Sequence, residues 1–355
     1  MTATERIKIT LDHPGELIAA VPTLLGFHPV DSLVVLGTRG PRATELRLVL
    51  RSDLPPPHQA QELVDLLLLP LVQHGATGVT MVVVGGEGRS PDDALPHREL
   101  MAHCDAAFAA DRLPVVHQLW TPDTRAGSRW HCYDEADCTG VLPEPDETEL
   151  AIAAAELGLN VYVSRDDVAA VLDPDPPDVL ARRSASLTRA SETTEPGSDP
   201  PADGLATVLS AIEAAGAGPP DLADEDVIRL SRALSDHVVR DVCLDFENLP
   251  DVIAAERLWT ALTRGTPPPE RAEPAALLAF SAYARGDGVL AGIALRNAEA
   301  ANPGHALCGL IRGALQVALP PALLRRAGQR AADAARARLA RKSLDDGEER
   351  PTMTG

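Results

Sequence analysis

The sequence predicts an α/β amino-terminal domain, built from a mixed sheet and covering helices, followed by an all-α carboxyl-terminal domain. Short apolar runs alternate with helical patterns over roughly the first 170 residues. A stretch rich in Pro, Asp, Ser and Thr follows, and beyond it apolar residues recur at helical spacing. We therefore expect an α/β domain at 1–173, a flexible linker at 174–204 with a helical pattern over 179–190, a helical domain at 205–342 and a disordered acidic tail at 343–355.

The first elements of the α/β domain are a strand, a helix and a hairpin. Residues 5–11 alternate as a half-buried strand does, and the following helical pattern ends at Gly26, where a left-handed residue suits a helix terminus. The run 32–36 is short, apolar and partly β-branched, which is typical of a buried strand. Leucines alternate with charged residues over 45–51, so this segment is expected to pair with that strand.

Helices and strands then alternate to the end of this domain. Helices are expected at 58–75, 93–113, 146–157 and from Ser164 onward, and strands at 79–86, 114–120 and briefly near 160–163. Alternation at this spacing is the pattern of an α/β layer, and the hairpin makes its sheet mixed.

The corner between the first helix and the apolar strand carries the polar residues His28, Asp31 and Ser32. Catalytic groups often lie on such loops of an α/β layer, so these residues are candidates for a hydrolase site. The structural alternative is that Phe27 and Pro29 pack the corner while Asp31 and Ser32 cap the turn.

A glycine-rich turn, Gly85, Gly86 and Gly88, follows the expected strand at 79–86. It lacks the Lys-Ser/Thr pair of a P-loop and the spacing of a dinucleotide fingerprint. A glycine turn at the carboxyl end of a strand can still bind an anion, so the three glycines are ligand-binding candidates; an ordinary loop is the alternative.

The segment after Trp120 concentrates aromatic, basic and thiol side chains. Its candidates are Arg129, Trp130 and Tyr133 for a ligand, and His131, Cys132 and Cys138 for a metal. His and Cys side chains are zinc ligands, but this spacing is longer than the usual one and no fourth ligand is obvious. A Cys132–Cys138 disulfide and simple packing of the aromatic residues are the alternatives. No cofactor is otherwise expected.

The carboxyl-terminal domain contains a helical pair that resembles a tetratricopeptide repeat. The matching positions are Leu278, Ala279, Gly286, Asp287, Ala291, Ala298 and Pro303. Small residues let two helices approach closely, and the Gly-Asp pair suits the turn between them. The resemblance implies a protein partner for this domain.

Composition limits the functional classes. The net charge of −20 argues against a nucleic-acid binder and against a protein that binds anionic membranes, because both need a basic surface. No apolar run reaches membrane-spanning length, and the amino terminus lacks a signal-like segment. Five cysteines, an odd number, do not suggest a disulfide framework, so a reducing cytoplasm is expected.

The stretch PTLLGFHPVDSLVVLG at 22–37 resembles the start of an uncharacterised actinobacterial domain-of-unknown-function family. Three further stretches fit it, namely RWHCYDEADCTG at 129–140, NVYVSRDDVAAVL at 160–172 and LLAFSAYARGDGVLAGIALRNAEAANP at 277–303. The resemblance implies no established activity, substrate or catalytic residue.

Three functional hypotheses remain open from the sequence. The first is a cytoplasmic ligand- or partner-binding regulatory protein, favoured over an enzyme because no recognisable catalytic motif is present. The second is a hydrolase with a site at the 27–32 corner. The third is a zinc- or redox-responsive protein that uses Cys132 and Cys138.

Overall fold

The computed structural model describes residues 13–40, 45–86, 95–156, 159–193, 200–249 and 251–348. The chain divides into two compact units, Met1–Val168 and Ala169–Gly355. The first is an α/β unit and the second is helical in its described part, which confirms the expected fold class.

The described part of the α/β unit contains one six-stranded sheet. Its strands are β1 (Ser32–Arg39), β2 (Glu45–Asp53), β3 (Gly78–Val84), β4 (Val115–Thr121), β5 (Arg129–Cys132) and β6 (Thr139–Val141). Its helices are α1 (Pro14–Leu25), α2 (Ala60–Gln73), α3 (Arg98–Ala110), α4 (Glu149–Glu156) and α5 (Arg165–Ala170), the last of which spans the unit boundary. The strand expected at 5–11 lies outside the described residues.

The sheet order is β2-β1-β3-β4-β5-β6. Only the central pair β3 and β4 is parallel; every other neighbouring pair of described strands is antiparallel. The sheet is therefore mixed, as expected. The brief strand expected near 160–163 is instead a single bridge between Phe27 and Tyr162, so it belongs to no sheet.

Alternation along the strands gives the sheet two buried faces. Leu33 and Val35 of β1 belong to one apolar cluster with α2 and α3, whereas Val34 and Leu36 point to the other face and are equally buried. On that second face, α1 brings Gly15 against the indole of Trp130. Burial on both faces explains why β1 and β3 are continuous apolar runs.

The second unit is built from helices. They are α6 (Pro177–Thr193), α7 (Pro201–Ala215), α8 (Asp224–Ser235), α9 (His237–Val242), α10 (Val252–Gly265), α11 (Ala272–Arg285), α12 (Gly288–Ala301), α13 (Ala306–Gln316) and α14 (Pro321–Glu348). In α11, nearly every residue between Ala272 and Ala284 is buried, so this helix forms the centre of the unit.

The linker expected at 174–204 contains the 17-residue helix α6. Arg183 of this helix is buried and donates to carboxylates of Asp175 and Asp224 and to the carbonyl oxygen of Gly265, at 2.7–2.9 Å. The described part of the expected linker is thus packed within the helical unit, and the expectation of a loose segment is wrong there. Likewise, the tail expected from 343 continues α14 to Glu348.

The α11–α12 pair forms the helical hairpin that the sequence predicts. Gly286 adopts a left-handed conformation (φ 102°) after α11, and the Asp287 carboxylate accepts a hydrogen bond from the Leu290 N–H at the start of α12. Its assignment to the tetratricopeptide class stays a prediction.

Candidate functional site

The carboxyl ends of β3 and β4 bring together two segments that the sequence singled out separately. Because β3 and β4 are parallel, both end at the same edge of the sheet. Strand β1 runs antiparallel to β3 and begins at this edge, with Ser32 opposite Val84. The 28–32 corner and the Gly85–Gly86 turn therefore lie at one place, which we call the carboxyl edge.

The carboxyl edge contains a cluster of unusual backbone conformations. Asp31 has φ 44°, and Gly85 and Gly86 have φ 110° and 92°. A Cβ atom on Gly85 would lie 2.5 Å from Asp31 Oδ1 and 2.9 Å from two Asp31 backbone atoms. Glycine is thus required at 85 both for its φ and for the close approach of Asp31. Backbone strain of this kind concentrates at functional sites.

Hydrogen bonds fix this turn from the neighbouring strand. The Gly85 N–H donates to the Thr121 carbonyl at 3.0 Å, and the buried Trp120 indole N–H donates to the Gly85 carbonyl at 2.8 Å. The Gly86 N–H points at Asp31 Oδ1, at a long 3.4 Å. Since a carboxylate of the chain already faces this N–H, the geometry does not favour the anion site that the glycines suggested. Gly88 lies outside the described residues.

His28 lies at the same edge, next to the loop that follows β4. Its Nδ1 is 2.8 Å from the Thr124 hydroxyl, and its backbone N–H donates to the Tyr162 carbonyl. Burial lowers the pKa of His28 below its usual 6.5, and the nearby Arg125 acts in the same direction, against the opposing charges of Asp146 and Asp123. The imidazole is therefore mainly neutral at pH 7.

Ser32 has a structural role at this edge. Its side chain is fully buried, and its hydroxyl donates to the Val30 carbonyl at 2.7 Å and accepts from Arg51 Nε at 2.9 Å. A hydroxyl with both partners inside the protein and no exposure to solvent cannot reach a substrate. The structure thus supports the capping interpretation for Ser32.

In the loop after β4, sequence reasoning singled out aromatic, basic and thiol side chains but not Asp123, Thr124 or Ser128. The Asp123 carboxylate accepts from the Arg125 N–H at 2.8 Å and from the Ser128 hydroxyl, while the Thr121 hydroxyl donates to the Asp123 carbonyl. This loop holds Thr124 against His28. Its position directly after a buried strand, like that of Gly85 after β3, marks a loop where binding groups often lie, but no local feature marks Thr124 itself.

The aromatic candidates of the 129–133 segment support the fold. Trp130 is packed between Gly15 and Gly140, where added Cβ atoms would come within 2.8 Å of its indole nitrogen. The Tyr133 hydroxyl donates to the Pro96 carbonyl at 2.6 Å, just before α3, and burial raises its pKa. Arg129 is exposed on β5. Because β5 runs antiparallel to β4, Arg129 begins β5 at the carboxyl edge, where its carbonyl oxygen lies 3.3 Å from the Thr121 hydroxyl.

The metal candidates do not converge. His131 and Cys132 are consecutive on β5, so their side chains point to opposite faces, and the His131 ring lies 5.8 Å from that of Trp120. Within the described ranges, no group of three or more His, Cys, Asp or Glu side chains is arranged to hold a metal ion. The geometry therefore does not favour the zinc alternative at His131, Cys132 and Cys138. All five cysteines are free thiols.

The helical unit contains a groove of about 400 Å³ between α7, α8 and α9. Its lining combines two arginines, three carboxylates and an apolar floor: Arg229, Arg232, Asp203, Glu225, Asp236, Ile228 and Val239. Arg229 also forms an ion pair with Asp226 at 2.7 Å. Among the described residues, no helix has the length and apolar character needed to cross a membrane.

Comparison with known proteins gives a family and no activity. No curated protein and no solved structure matches the chain. The family model described as "Domain of unknown function (DUF4192)" matches residues 14–322, which covers most of both units and includes the carboxyl edge. The chain therefore belongs to the DUF4192 family.

Proposed function

We propose that this protein is a cytoplasmic ligand-binding regulatory protein whose α/β unit binds a small polar ligand at the carboxyl edge. The observation that supports the proposal most strongly is the cluster of Asp31, Gly85 and Gly86, three left-handed residues in contact at the ends of strands. Ligands of open α/β sheets bind at this position, and unfavourable backbone conformations persist where function needs them.

The chemistry of the edge favours a ligand that donates hydrogen bonds. The exposed Asp31 carboxylate accepts hydrogen bonds, and the exposed carboxylate of Asp146 and the partly exposed one of Asp123 lie near His28. Arg125 is the basic side chain whose charge acts on His28. Amines and hydroxyl-rich molecules suit this surface better than phosphates, because like charges repel the latter.

Binding without covalent catalysis is the better-supported use of the site. The two hydroxyls nearest the corner, those of Ser32 and Thr124, have 0% and 1% exposure and are both hydrogen-bonded within the protein. A hydrolase at the 27–32 corner would need one of them as an accessible nucleophile or a water held by His28. The neutral imidazole beside Thr124 serves equally well as a hydrogen-bonding group for a bound ligand.

The groove between α7, α8 and α9 supports a second role, in which the helical unit binds a protein partner. Mixed charges around an apolar floor are typical of partner surfaces, whose rims are polar. We expect Arg229→Glu to weaken association of a purified partner at least tenfold, while the same charge reversal at the exposed Arg338 of α14, outside the groove lining, leaves it unchanged. Equal affinities would contradict this role.

The five free thiols support the cytoplasmic assignment, because a reducing compartment keeps thiols unpaired.

The proposed ligand site is tested by a thermal-shift screen of the full-length protein against amines, polyols and nucleosides, with phosphates and carboxylates as the opposing set. A ligand present at a hundred times its dissociation constant stabilises the protein by about 2.7 kcal/mol. We expect a hit in the first set that Asp31→Asn abolishes and Asp65→Asn, an exposed change on α2, retains. A hit that survives Asp31→Asn, or hits confined to the anions, would contradict the proposal.

A further inference from the structure

Cys132 and Cys138 lie directly opposite each other where β5 pairs with β6. The register places His131 opposite Thr139, so its next step places Cys132 opposite Cys138. The Cys132 N–H donates to the Cys138 carbonyl oxygen at 2.9 Å. Opposite residues in such a pair have Cα atoms about 5.5 Å apart and side chains on one face of the sheet. Disulfides form at Cα separations of about 4.4–6.8 Å, so the backbone already suits a bond.

The two thiols differ in access to solvent. Cys138 is partly exposed, whereas Cys132 is 9% exposed. Burial raises the pKa of Cys132 to about 12, and a hydrogen bond with the Cys138 side chain and the charges of Asp134 and Glu135 add to this effect. The contact between the thiols thus agrees with the backbone register.

The other three thiols of the chain provide an internal comparison. Cys104, Cys243 and Cys308 have exposures of 0%, 1% and 2%. Cys308 Sγ lies 3.3 Å from His305 Nδ1 and faces no second thiol there. A reagent in water therefore meets Cys138 first.

We propose that Cys132 and Cys138 form a reversible intramolecular disulfide by exchange with a small uncharged disulfide, which makes the β5–β6 hairpin a modification site. The loop that joins the two cysteines is exposed and acidic, with Asp134, Glu135 and Asp137. These negative charges repel anionic disulfides, so an uncharged disulfide is expected to react faster with Cys138. The modification is independent of the ligand proposed for the carboxyl edge.

The exchange is balanced in atoms and electrons. The Cys138 thiolate attacks the small disulfide RSSR, forms a mixed disulfide with one RS group and releases the other as RS⁻. The Cys132 thiolate then attacks the Cys138 sulfur and releases the second RS⁻. Both RS⁻ groups take up the protons that the two cysteines lost, so the protein loses two hydrogens and two electrons while RSSR becomes two RSH. A dithiol reductant reverses the reaction.

The disulfide would restrain the loop of the β5–β6 hairpin, which contacts the segment before α3. It closes the loop at 133–137, which begins with Tyr133, whose hydroxyl holds the Pro96 carbonyl before α3. Oxidation therefore restrains the contact between the hairpin and α3.

The test treats the reduced full-length protein with bis(2-hydroxyethyl) disulfide, blocks the remaining thiols and maps the tryptic peptides without reduction. Residues 130–165 contain no Lys or Arg before Arg165, so both cysteines fall in one peptide. We expect that peptide to lose two hydrogens, and to do so at least tenfold faster than with glutathione disulfide, which is anionic. A peptide that takes up two blocking groups after prolonged treatment would overturn the proposal.

Single variants separate the two steps. Cys132→Ser should stop at the mixed disulfide on Cys138, and Cys138→Ser should leave Cys132 unmodified because that thiol is buried. Cys104→Ala, which removes a core thiol away from the hairpin, should oxidise as the wild type does. A mixed disulfide on Cys132 in the Cys138→Ser variant, or a cross-link that needs Cys104, would overturn the assignment. The wild-type peptide map decides the outcome even where a variant fails to fold.

Discussion

The two units of this protein use polar side chains differently. In the helical unit, the most buried charged groups hold helices together, as Arg183 does with Asp175 and Asp224, and as Asp245, fully buried, does with Arg336 of α14. In the α/β unit, the polar groups of the carboxyl edge hold a strained turn and still face solvent, as Asp31 does. Polar residues thus stabilise packing in one unit and remain available for a ligand in the other.

The largest change in stability is expected in the helical unit, at Gly328, where α14 packs closely on its neighbours. A Cβ atom on Gly328 would overlap the Phe280 ring and lie 2.5 Å from the Leu244 carbonyl oxygen. Alanine normally stabilises a helix interior by about 1 kcal/mol relative to glycine. Here we expect Gly328→Ala to destabilise the protein by about 3 kcal/mol, because overpacking against backbone cannot relax. Urea unfolding followed by circular dichroism measures the change.

The control for this variant is Gly313→Ala in α13, where an added Cβ meets nothing within 4 Å. It should be neutral or stabilising by up to about 1 kcal/mol. Equal effects of the two changes would show that α14 does not pack on α11 as described.

The buried arginine of α6 gives the next largest effect. Arg183→Met removes the hydrogen-bond donor of two carboxylates and of a carbonyl oxygen. We expect the free energy of unfolding to fall by about 2 kcal/mol. This is less than the usual cost of breaking a fully buried ion pair, because solvent screens Asp224, which is 40% exposed. Arg182→Met, on the same helix at 58% exposure, should change stability by less than about 0.5 kcal/mol. Similar losses would contradict the packed position of α6.

The same arginine makes a prediction about pH. Its hydrogen bond lowers the pKa of Asp224 below 3.8. A depressed carboxyl pKa contributes stability that is present above the unfolded value and is lost as pH falls through the folded value. The stability gap between wild type and Arg183→Met should therefore narrow as pH falls below about 4. A gap that stays constant from pH 6 to pH 2.5 would contradict the pairing.

A change at the carboxyl edge should have a smaller effect on stability. Gly85→Ala combines a φ of 110° with contact against the Asp31 backbone, and we expect a loss between about 1 and 2 kcal/mol. Gly127→Ala, with φ 81° and open space around the added Cβ, should cost about 1 kcal/mol or less. Urea unfolding followed by tryptophan fluorescence compares the two variants. A Gly85→Ala variant as stable as wild type would show that the turn at Gly85 is not strained.

The smallest loss of stability is expected when a single tyrosine hydroxyl is removed from each unit. Tyr133→Phe removes a 2.6 Å hydrogen bond to Pro96, and Tyr283→Phe removes bonds to the Ala314 and Leu319 carbonyls at 3.0 and 2.8 Å. We expect about 1 kcal/mol for the first and somewhat more for the second, because two acceptors lose their donor. Denaturant midpoints of the two variants test this order, and the reverse order would contradict it.

Local patterns in the sequence were enough to predict most helices and strands, but not where they meet. The apolar run of β1 and the glycines after β3 indicate a strand and a turn by themselves. The contact between Asp31 and Gly86 spans 55 residues, and that between His28 and Thr124 spans 96, so both depend on strand order. Because nothing local distinguishes Thr124 from other loop residues, the sequence did not predict it as part of the site.

The error at α6 has a different physical cause. Flanking prolines and a polar, charged sequence resemble those of a linker. The helix is nevertheless held by Arg183, a buried charge that pattern reasoning assigns to solvent. Burial of one paired arginine cannot be inferred from periodicity, because its partners Asp175 and Asp224 come from different segments.

The most direct test of the ligand site is an NMR titration of the full-length protein with the compound that stabilises it most in the thermal-shift screen. The signals to be followed are those of the histidine Cε1 groups. His28→Gln assigns the His28 signal, whose titration midpoint should lie below 6.5 because burial lowers its pKa. The proposed site predicts that the compound shifts the His28 signal and leaves that of His305, in the helical unit, unchanged. A compound that stabilises the protein and shifts His305 but not His28 would contradict the assignment of the ligand to the carboxyl edge.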